Sequence, residues 1–356
     1  MGRLPLADLT VSPASIPKHE LEPIRDALIN GITVESSGST SRPKHVRISG
    51  SALIASARAT SGAVGEGGWV LALPLSYIAG IMVVARTLVD DTPLVDARRE
   101  PFDPRMFTRI VGELPPGTWF SALVPAQLLR LVDFAEGDIS ARDALRRLDR
   151  ILVGGQATPE RLIARATGLG LNVTRTYGSA ETAGGVVYDG RPIGDTLIRI
   201  SSNDRIELSS SSLADEYVGD PDLTESSFVV DEGGVRWWRT TDLGSVTDGV
   251  LAVHGRADDI IITGGIKVSL ADIDRVLVNA GFDAVATWFD DEAWGQVPAV
   301  VSTSTLDRDA IRSLIETTLS KESRPYRFVT VDEIPRLDSG KIDRRAVRAL
   351  VEHPQT

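Results

Sequence analysis

The chain has 356 residues, with Lys+Arg 38 against Asp+Glu 49 for a net charge of −11. Its 42% hydrophobic and 24% charged residues are ordinary globular values, which excludes a wholly disordered or fibrous chain, and the length suggests roughly two domains. The acidic balance argues against a duplex nucleic-acid binder, which needs a basic surface, and the absence of cysteine removes disulfides, Cys-ligated zinc, iron–sulfur clusters and any thiolate nucleophile.

Met1 to Pro13 lacks the basic start and long apolar core of a signal peptide, so the chain reads as cytoplasmic. An amphipathic helix is predicted over residues 20–32, then a strand-like Thr33-Val34-Glu35 leading into a polar loop, Ser36 to Lys44. A helix follows from Ser49 to about Ala63, a strand at Trp69 to Leu73 and a helix start near Gly80. The uncharged run Gly67 to Ala85 is interrupted by Pro74, Ser76, Tyr77 and Gly80, which argues against membrane insertion.

Strand-like runs at Thr118 to Val124, Arg150 to Val153 and Leu171 to Tyr177 alternate with helical stretches at Pro125 to Ala135, Ser140 to Leu148 and Pro159 to Gly168. That alternation implies crossover units and a parallel sheet. From about Arg199 the segments become short and alternating, as in antiparallel β structure. After Gly255 a smaller α+β unit is expected, with helices near Leu270 to Asn279 and Asp309 to Leu319, while Ser209 to Ser212 reads as a loop.

Five segments carry residues suited to chemistry. Ser36-Ser37-Gly38-Ser39-Thr40-Ser41-Arg42-Pro43-Lys44 concentrates hydroxyls, a Gly and two cations after a strand, a composition that can hold a polyphosphate and that a solvated serine-rich turn shares. It is not a Walker A loop, because His45 follows Lys44 and no Gly directly precedes it. Thr176-Tyr177-Gly178-Ser179-Ala180-Glu181-Thr182 puts an aromatic, a Gly and a carboxylate at a strand's carboxyl end, where parallel sheets bind ligands. Tyr177 suits a nucleobase and Glu181 a hard cation such as Mg²⁺, although a strand end with a capping turn has the same residues.

Trp238-Arg239-Thr240-Thr241-Asp242 ends a β segment on an Asp able to accept two ribose hydroxyls, or merely to sit in a hairpin turn. Gly255-Arg256-Ala257-Asp258-Asp259 and Gly264-Gly265 mark a hinge-like junction, with a solvated turn as the plainer meaning of the paired carboxylates. Asp338-Ser339-Gly340-Lys341 presents one Lys in a near-terminal loop that also reads as a basic tail. The four histidines are too scattered for a metal pattern, no G-x-S-x-G elbow exists, and Trp237-Trp238 reads as β packing.

In this order the five motifs resemble the adenylate-forming acyl/aryl-CoA synthetase superfamily from about Ser36 to Arg345. Leu73-Pro74-Leu75-Ser76-Tyr77-Ile78-Ala79-Gly80, Ser121-Ala122-Leu123-Val124-Pro125-Ala126-Gln127-Leu128 and Tyr188-Asp189-Gly190 look like its short actinobacterial o-succinylbenzoate–CoA ligases of menaquinone biosynthesis. The resemblance implies an α/β fold: a large N-terminal domain (1–257) of parallel and mixed sheets with flanking helices and a β-rich subdomain, truncated at its start relative to longer relatives. A small mobile C-terminal α+β domain (258–356) would cap it.

It also implies roles. Ser36, Ser37, Gly38, Ser39, Thr40 and Lys44 would grip the ATP phosphates, Tyr177 adenine, and Asp242 with Arg256 the ribose. Glu181 would bind Mg²⁺ and Lys341 would be the catalytic lysine. Tyr77, Leu123, Gly155, Gly178 and Ser179 would form the acyl pocket, Asp258 the hinge, and Gly264 and Gly265 the path for coenzyme A. The expected partner is a small aromatic carboxylic acid, with no nucleic acid and no membrane insertion, and a homodimer is left open. Ser41 and Ala180 depart from the superfamily's usual Gly and Thr, and Tyr77 from its frequent His. Another aryl or acyl-CoA synthetase, an aryl-acid adenylation enzyme, or a catalytically silent nucleotide-binding regulator would share most of these residues.

Overall fold

The structure, a computed structural model, describes residues 16–36, 44–336 and 342–352. At its centre lies a seven-stranded sheet in the spatial order Leu94–Asp96, Gly68–Leu71, Trp119–Leu123, Arg150–Val153, Val173–Ser179, Gly184–Tyr188 and Arg191–Pro192. The first five strands are parallel and the last two join by antiparallel pairing, Gly184–Tyr188 alone running the other way, so the sheet is mixed at one edge. Val70 pairs with both Val95 and Ser121, and Ser121 with Ile151, which fixes the register across four strands.

Alternation along these strands sorts side chains onto two faces. Trp69, Leu71, Phe120, Ala122 and Leu152 enter one apolar core with the helices Lys18–Asn30, Gly50–Val64 and Ile78–Asp90. Val70, Trp119, Leu123, Ile151 and Val153 enter the other, with Pro104–Gly112, Pro125–Gly137, Ile139–Leu145 and Glu160–Gly168. The Ser49 hydroxyl caps its helix by accepting the Ala52 N–H at 3.3 Å. Strand order reverses between Gly68–Leu71 and Trp119–Leu123, and the loops after those strands diverge there into a crevice.

An antiparallel sheet of Leu197–Ile200, Arg205–Ser209, Arg236–Thr247, Phe228–Val230 and Val250–Arg256 follows, and a three-stranded sheet joins Ile32–Ser36, Lys44–Ile48 and Glu216–Tyr217. Beyond the short turn Ala257–Asp259, five strands (Ile260–Thr263, Ile266–Ser269, Ala284–Asp291, Gly295–Ser302, Arg327–Thr330) pack with the helices Leu270–Asn279, Arg308–Thr318 and Arg344–Glu352. No helix among the described residues is long and apolar enough to cross a membrane.

Three local expectations are corrected. The strand expected to stop at Tyr177 runs to Ser179, because Gly178 and Ser179 pair with Gly185 and Gly184. Asp242 lies inside the strand Arg236–Thr247, opposite Arg256, rather than at a strand end. Ser209 closes a strand, pairing with Leu197, before the serine loop begins.

Candidate active site

The crevice at the strand reversal opens into a cleft of about 1290 Å³. Its wall includes Lys44, Tyr77, Leu123, Gly155, Gly178, Ser179, Glu181, Asp242 and Arg256, so residues far apart in sequence meet in one cavity.

Glu181 sits in the short 3-10 turn Ala180–Thr182 and is 6% exposed. The Ser179 hydroxyl accepts the Glu181 N–H at 3.2 Å and donates to Oε2 at 2.7 Å. The Tyr217 hydroxyl donates to Oε1 at 3.0 Å and accepts the Trp238 indole N–H at 3.3 Å. Burial first, then the Glu181 charge, pushes the Tyr217 phenol well above its usual range, so it remains a donor. Lys44 Nζ stands 5.3 Å from the Tyr217 ring centroid, placing a cation beside the same carboxylate platform.

Among the described residues no cluster of three His, Asp or Glu is suited to a metal. A buried carboxylate on a cleft wall that also carries Lys44 still suits Mg²⁺, which takes one or two protein carboxylates and fills the rest of its octahedron from other oxygen ligands and water.

Elsewhere in the cleft, the Tyr177 hydroxyl donates to Asp242 Oδ2 at 2.7 Å. Tyr177 is absent from the cleft lining and reaches it through this bond. Burial raises the Asp242 carboxyl above the ordinary carboxylate value, against the Tyr177 hydrogen bond and the Arg256 charge, which lower it. Arg256 lies 4.0 Å from Asp242 but makes its close contacts with Asp258, Nε to Oδ1 at 2.8 Å and Nη2 to Oδ2 at 2.9 Å. The expected ribose cation is thus tied to the expected hinge residue.

The remaining wall is apolar and backbone-lined. Leu123 is 2% exposed and also anchors a core cluster, so it shapes the cleft as a fixed wall. Gly155 has φ +85°, a left-handed value that disfavours other residues. At Gly178 a Cβ would lie 2.1 Å from the Gly184 carbonyl oxygen, so strand pairing itself demands glycine. Tyr77 precedes the helix Ile78–Asp90 as its N-cap.

The Ala180 position lacks a hydroxyl, and its neighbours do not supply one. Thr182 is fully buried, accepting from Ser179 N at 2.9 Å and donating to Gly184 O at 2.7 Å, while the Ser179 hydroxyl is engaged with Glu181.

Asp258, Gly264 and Gly265 do not line the cleft. The two glycines form the tip of the hairpin Ile260–Thr263/Ile266–Ser269, both with positive φ, and Gly264 N–H donates to the Trp294 carbonyl at 2.8 Å. Ser37, Gly38, Ser39, Thr40, Ser41 and Lys341 lie outside the described residues, as does the Ser36 side chain. Sequence reasoning missed Tyr217, Trp238 and Arg86 as cleft residues. Tyr217 and Arg86 belong to no local motif, and a Trp pair in a strand announces packing before it announces a site.

The AMP-binding enzyme family matches residues 36–206. The chain is 33% identical over 330 residues to the "Probable 2-succinylbenzoate–CoA ligase" of Mycobacterium tuberculosis (strain CDC 1551 / Oshkosh), covering 89% of this chain and 83% of that protein. It is 27% identical to the 2-succinylbenzoate–CoA ligase of Escherichia coli (strain K12), over 90% of this chain and 69% of that one. The fold resembles that of o-succinylbenzoate–CoA synthetase from Bacillus subtilis, solved in complex with its acyl-adenylate intermediate, with TM-score 0.77, 22% identity and coverage of 89% and 69%. By the identity and coverage of the mycobacterial relative, the chain belongs to the family of AMP-binding enzymes that includes the 2-succinylbenzoate–CoA ligases.

Proposed function

We propose that this protein is an ATP-dependent ligase that converts 2-succinylbenzoate to 2-succinylbenzoyl-CoA on the way to menaquinone, releasing pyrophosphate and AMP. The observation that carries the reading is the convergence of Lys44, Glu181 and Asp242 on one cleft at a strand-order reversal, in a chain 33% identical to a relative bearing that name.

In the first half-reaction an oxygen of the acid's carboxylate attacks the α-phosphorus of ATP, the α–β bridging bond breaks, and pyrophosphate leaves with its electron pair. The segment Ser36 to Thr40 with Lys44 holds the phosphates, Tyr177 orients adenine, and Asp242 with Arg256 accepts the ribose. Glu181 is the carboxylate for Mg²⁺, which when bound neutralises phosphate charge. Lys341 places its ammonium on the phosphoryl oxygens as charge builds there. In the second half-reaction the sulfur of coenzyme A attacks the acyl carbon and AMP departs. Residues 258–356 act as a cap that turns about Asp258, withdrawing Lys341 and presenting Gly264 and Gly265 to the pantetheine arm. Tyr77, Leu123, Gly155, Gly178 and Ser179 border the acid. The protein works in the cytoplasm, alone or as a homodimer.

The test is AMP and thioester formation with ATP, Mg²⁺, coenzyme A and a panel of aromatic acids. Turnover confined to simple benzoates would move the assignment to another aryl-CoA synthetase, and nucleotide binding without AMP release would leave a silent regulator. A related expectation follows from Ala180. Because neighbouring hydroxyls are committed elsewhere, Ala180→Thr should lower KM for ATP by about tenfold or more, the scale of a hydrogen bond to a charged group. An unchanged KM would show that the α-phosphate has no need of that hydroxyl.

A further inference from the structure

Residues 214–218 brace two parts of the cleft wall that lie far apart in sequence. On one side the Ala214 N–H donates to the Glu181 carbonyl at 2.8 Å. On the other, Glu216 and Tyr217 pair with Arg47 and Val46 of the strand Lys44–Ile48, and the Asp215 and Val218 N–H groups donate to the Arg47 and His45 carbonyls, each at 2.8 Å. The strand that begins at Lys44 is thereby fixed relative to the turn that carries Glu181.

The Tyr217 side chain repeats that bridge. It is 4% exposed, its ring lies 5.3 Å from Lys44 Nζ and 5.6 Å from the Phe228 ring, and its hydroxyl is bonded to Glu181 Oε1. Chemistry settles the direction of that bond. The Trp238 indole nitrogen can only donate, and it donates to the Tyr217 oxygen at 3.3 Å, so the single phenolic hydrogen goes to the carboxylate. Indole, phenol and carboxylate form a chain whose members polarise one another in a buried site. Ser179, the other described side-chain donor, holds Oε2 at 2.7 Å. Both donors are neutral, so they orient the carboxylate without cancelling its charge, and each oxygen keeps acceptor capacity for a cation.

We propose that Tyr217 is a positioning residue for the metal–nucleotide: its hydroxyl fixes the orientation of Glu181 and thereby sets the affinity of the site for the divalent cation that accompanies ATP. The inference rests on the proposed function for the identity of that nucleotide. Groups that orient a metal-binding carboxylate change metal affinity by about tenfold or more, and here the orienting group is itself held by strand pairing and by Trp238.

The test is direct binding of Mn²⁺, standing in for Mg²⁺, in the presence of α,β-methylene-ATP, followed by the loss of the free-ion electron paramagnetic resonance signal. Tyr217→Phe keeps the ring beside Lys44 and removes only the hydroxyl, so the Mn²⁺ dissociation constant should rise by about tenfold. The Mg²⁺ concentration that half-saturates AMP formation should rise with it, while KM for the acid and thiolysis of a supplied acyl-adenylate stay within about threefold. Trp238→Phe leaves the hydroxyl but removes the donor that aims it. It should give a smaller rise in the same two constants, and it decides the matter if the first variant does not fold. Cation constants that stay at the unmodified value while the melting temperature drops would assign Tyr217 to packing against Phe228, and a KM for the acid that rises as far as the cation constant would assign it to the general shape of the cleft; either overturns the proposal. The Mn²⁺ titration needs neither acid nor coenzyme A, so if the unmodified protein makes no thioester the ligase reading fails by itself and the difference between the unmodified protein and Tyr217→Phe still stands. An unmodified protein that binds Mn²⁺ no better with the nucleotide than without it would overturn the proposal.

Discussion

Lys341→Ala is expected to slow adenylate formation by about 100- to 1,000-fold while leaving thiolysis of a supplied acyl-adenylate within about threefold of normal. The asymmetry follows from charge. In the first half-reaction a carboxylate approaches a triphosphate, so three anionic groups crowd around one phosphorus, and a positioned ammonium is worth more in that transition state than in the ground state. In the second, a thiol attacks a neutral acyl carbon and no cation on the phosphate is essential. The chain has no cysteine, so no enzyme-bound thioester offers a detour. Among the described residues on either side of Lys341, Arg336 bridges Ile342 and the Asp343 N–H donates to the Pro335 carbonyl at 2.9 Å. Pyrophosphate exchange measures the first step and thioester release from synthetic adenylate the second. Equal losses in both would count against a cap that turns between them.

Elements with strong local signals were readable before any coordinates. Ser49 at a helix start, the apolar spacing of Leu270 to Asn279 and the buried run Arg150 to Val153 each state their structure within a few residues, and the structure places them there. Leu94–Asp96 escaped notice because three residues are too few to show a period. The hairpin Ala284–Asp291/Gly295–Ser302 is recognisable only through its pairing partner, Val285 with Val301 and Ala286 with Val300. The site follows the same division. Glu181 and Asp242 stood out because each belongs to a compact motif. Tyr217 and Arg86 act through neighbours 36 and 17 positions away, Glu181 and Trp69, and no local pattern encodes such distances. Asp242 was legible as a candidate but not as a strand residue, since Thr240 and Thr241 before it and Gly244 after it resemble a turn. The Thr240 hydroxyl accepts the Asp242 N–H at 3.0 Å and donates to the Ile206 carbonyl at 2.8 Å, which stabilises the irregular stretch inside the sheet.

Asp242→Asn should raise KM for ATP by about 100-fold and, at neutral pH, leave the protein as stable as before or more so. The first part follows from losing the charge on the acceptor of two ribose hydroxyls, each charge-assisted bond being worth about 1.5–3 kcal/mol. The second follows from the direction of the Asp242 pKa, which burial raises in the folded protein. A folded carboxyl that holds its proton more tightly than the unfolded one makes stability fall as pH climbs from the unfolded value through the raised folded value, and above that window the full penalty is present. Asn carries no charge to desolvate, and its carbonyl oxygen still accepts the Tyr177 hydroxyl, now 2.7 Å from Oδ2. Arg256 keeps its pairing with Asp258 at 2.8 Å, so the substitution strands no cation. The same direction governs binding in the unmodified enzyme: ATP affinity should weaken on acidification at a higher pH than an ordinary carboxylate would allow, and that step should vanish in the variant. Melting curves and ATP titrations from pH 4 to 8 (about four decades of proton activity) separate the two effects. A variant that melts several degrees lower with an unchanged KM for ATP would place Asp242 in the scaffold and take the nucleotide away from this side of the cleft.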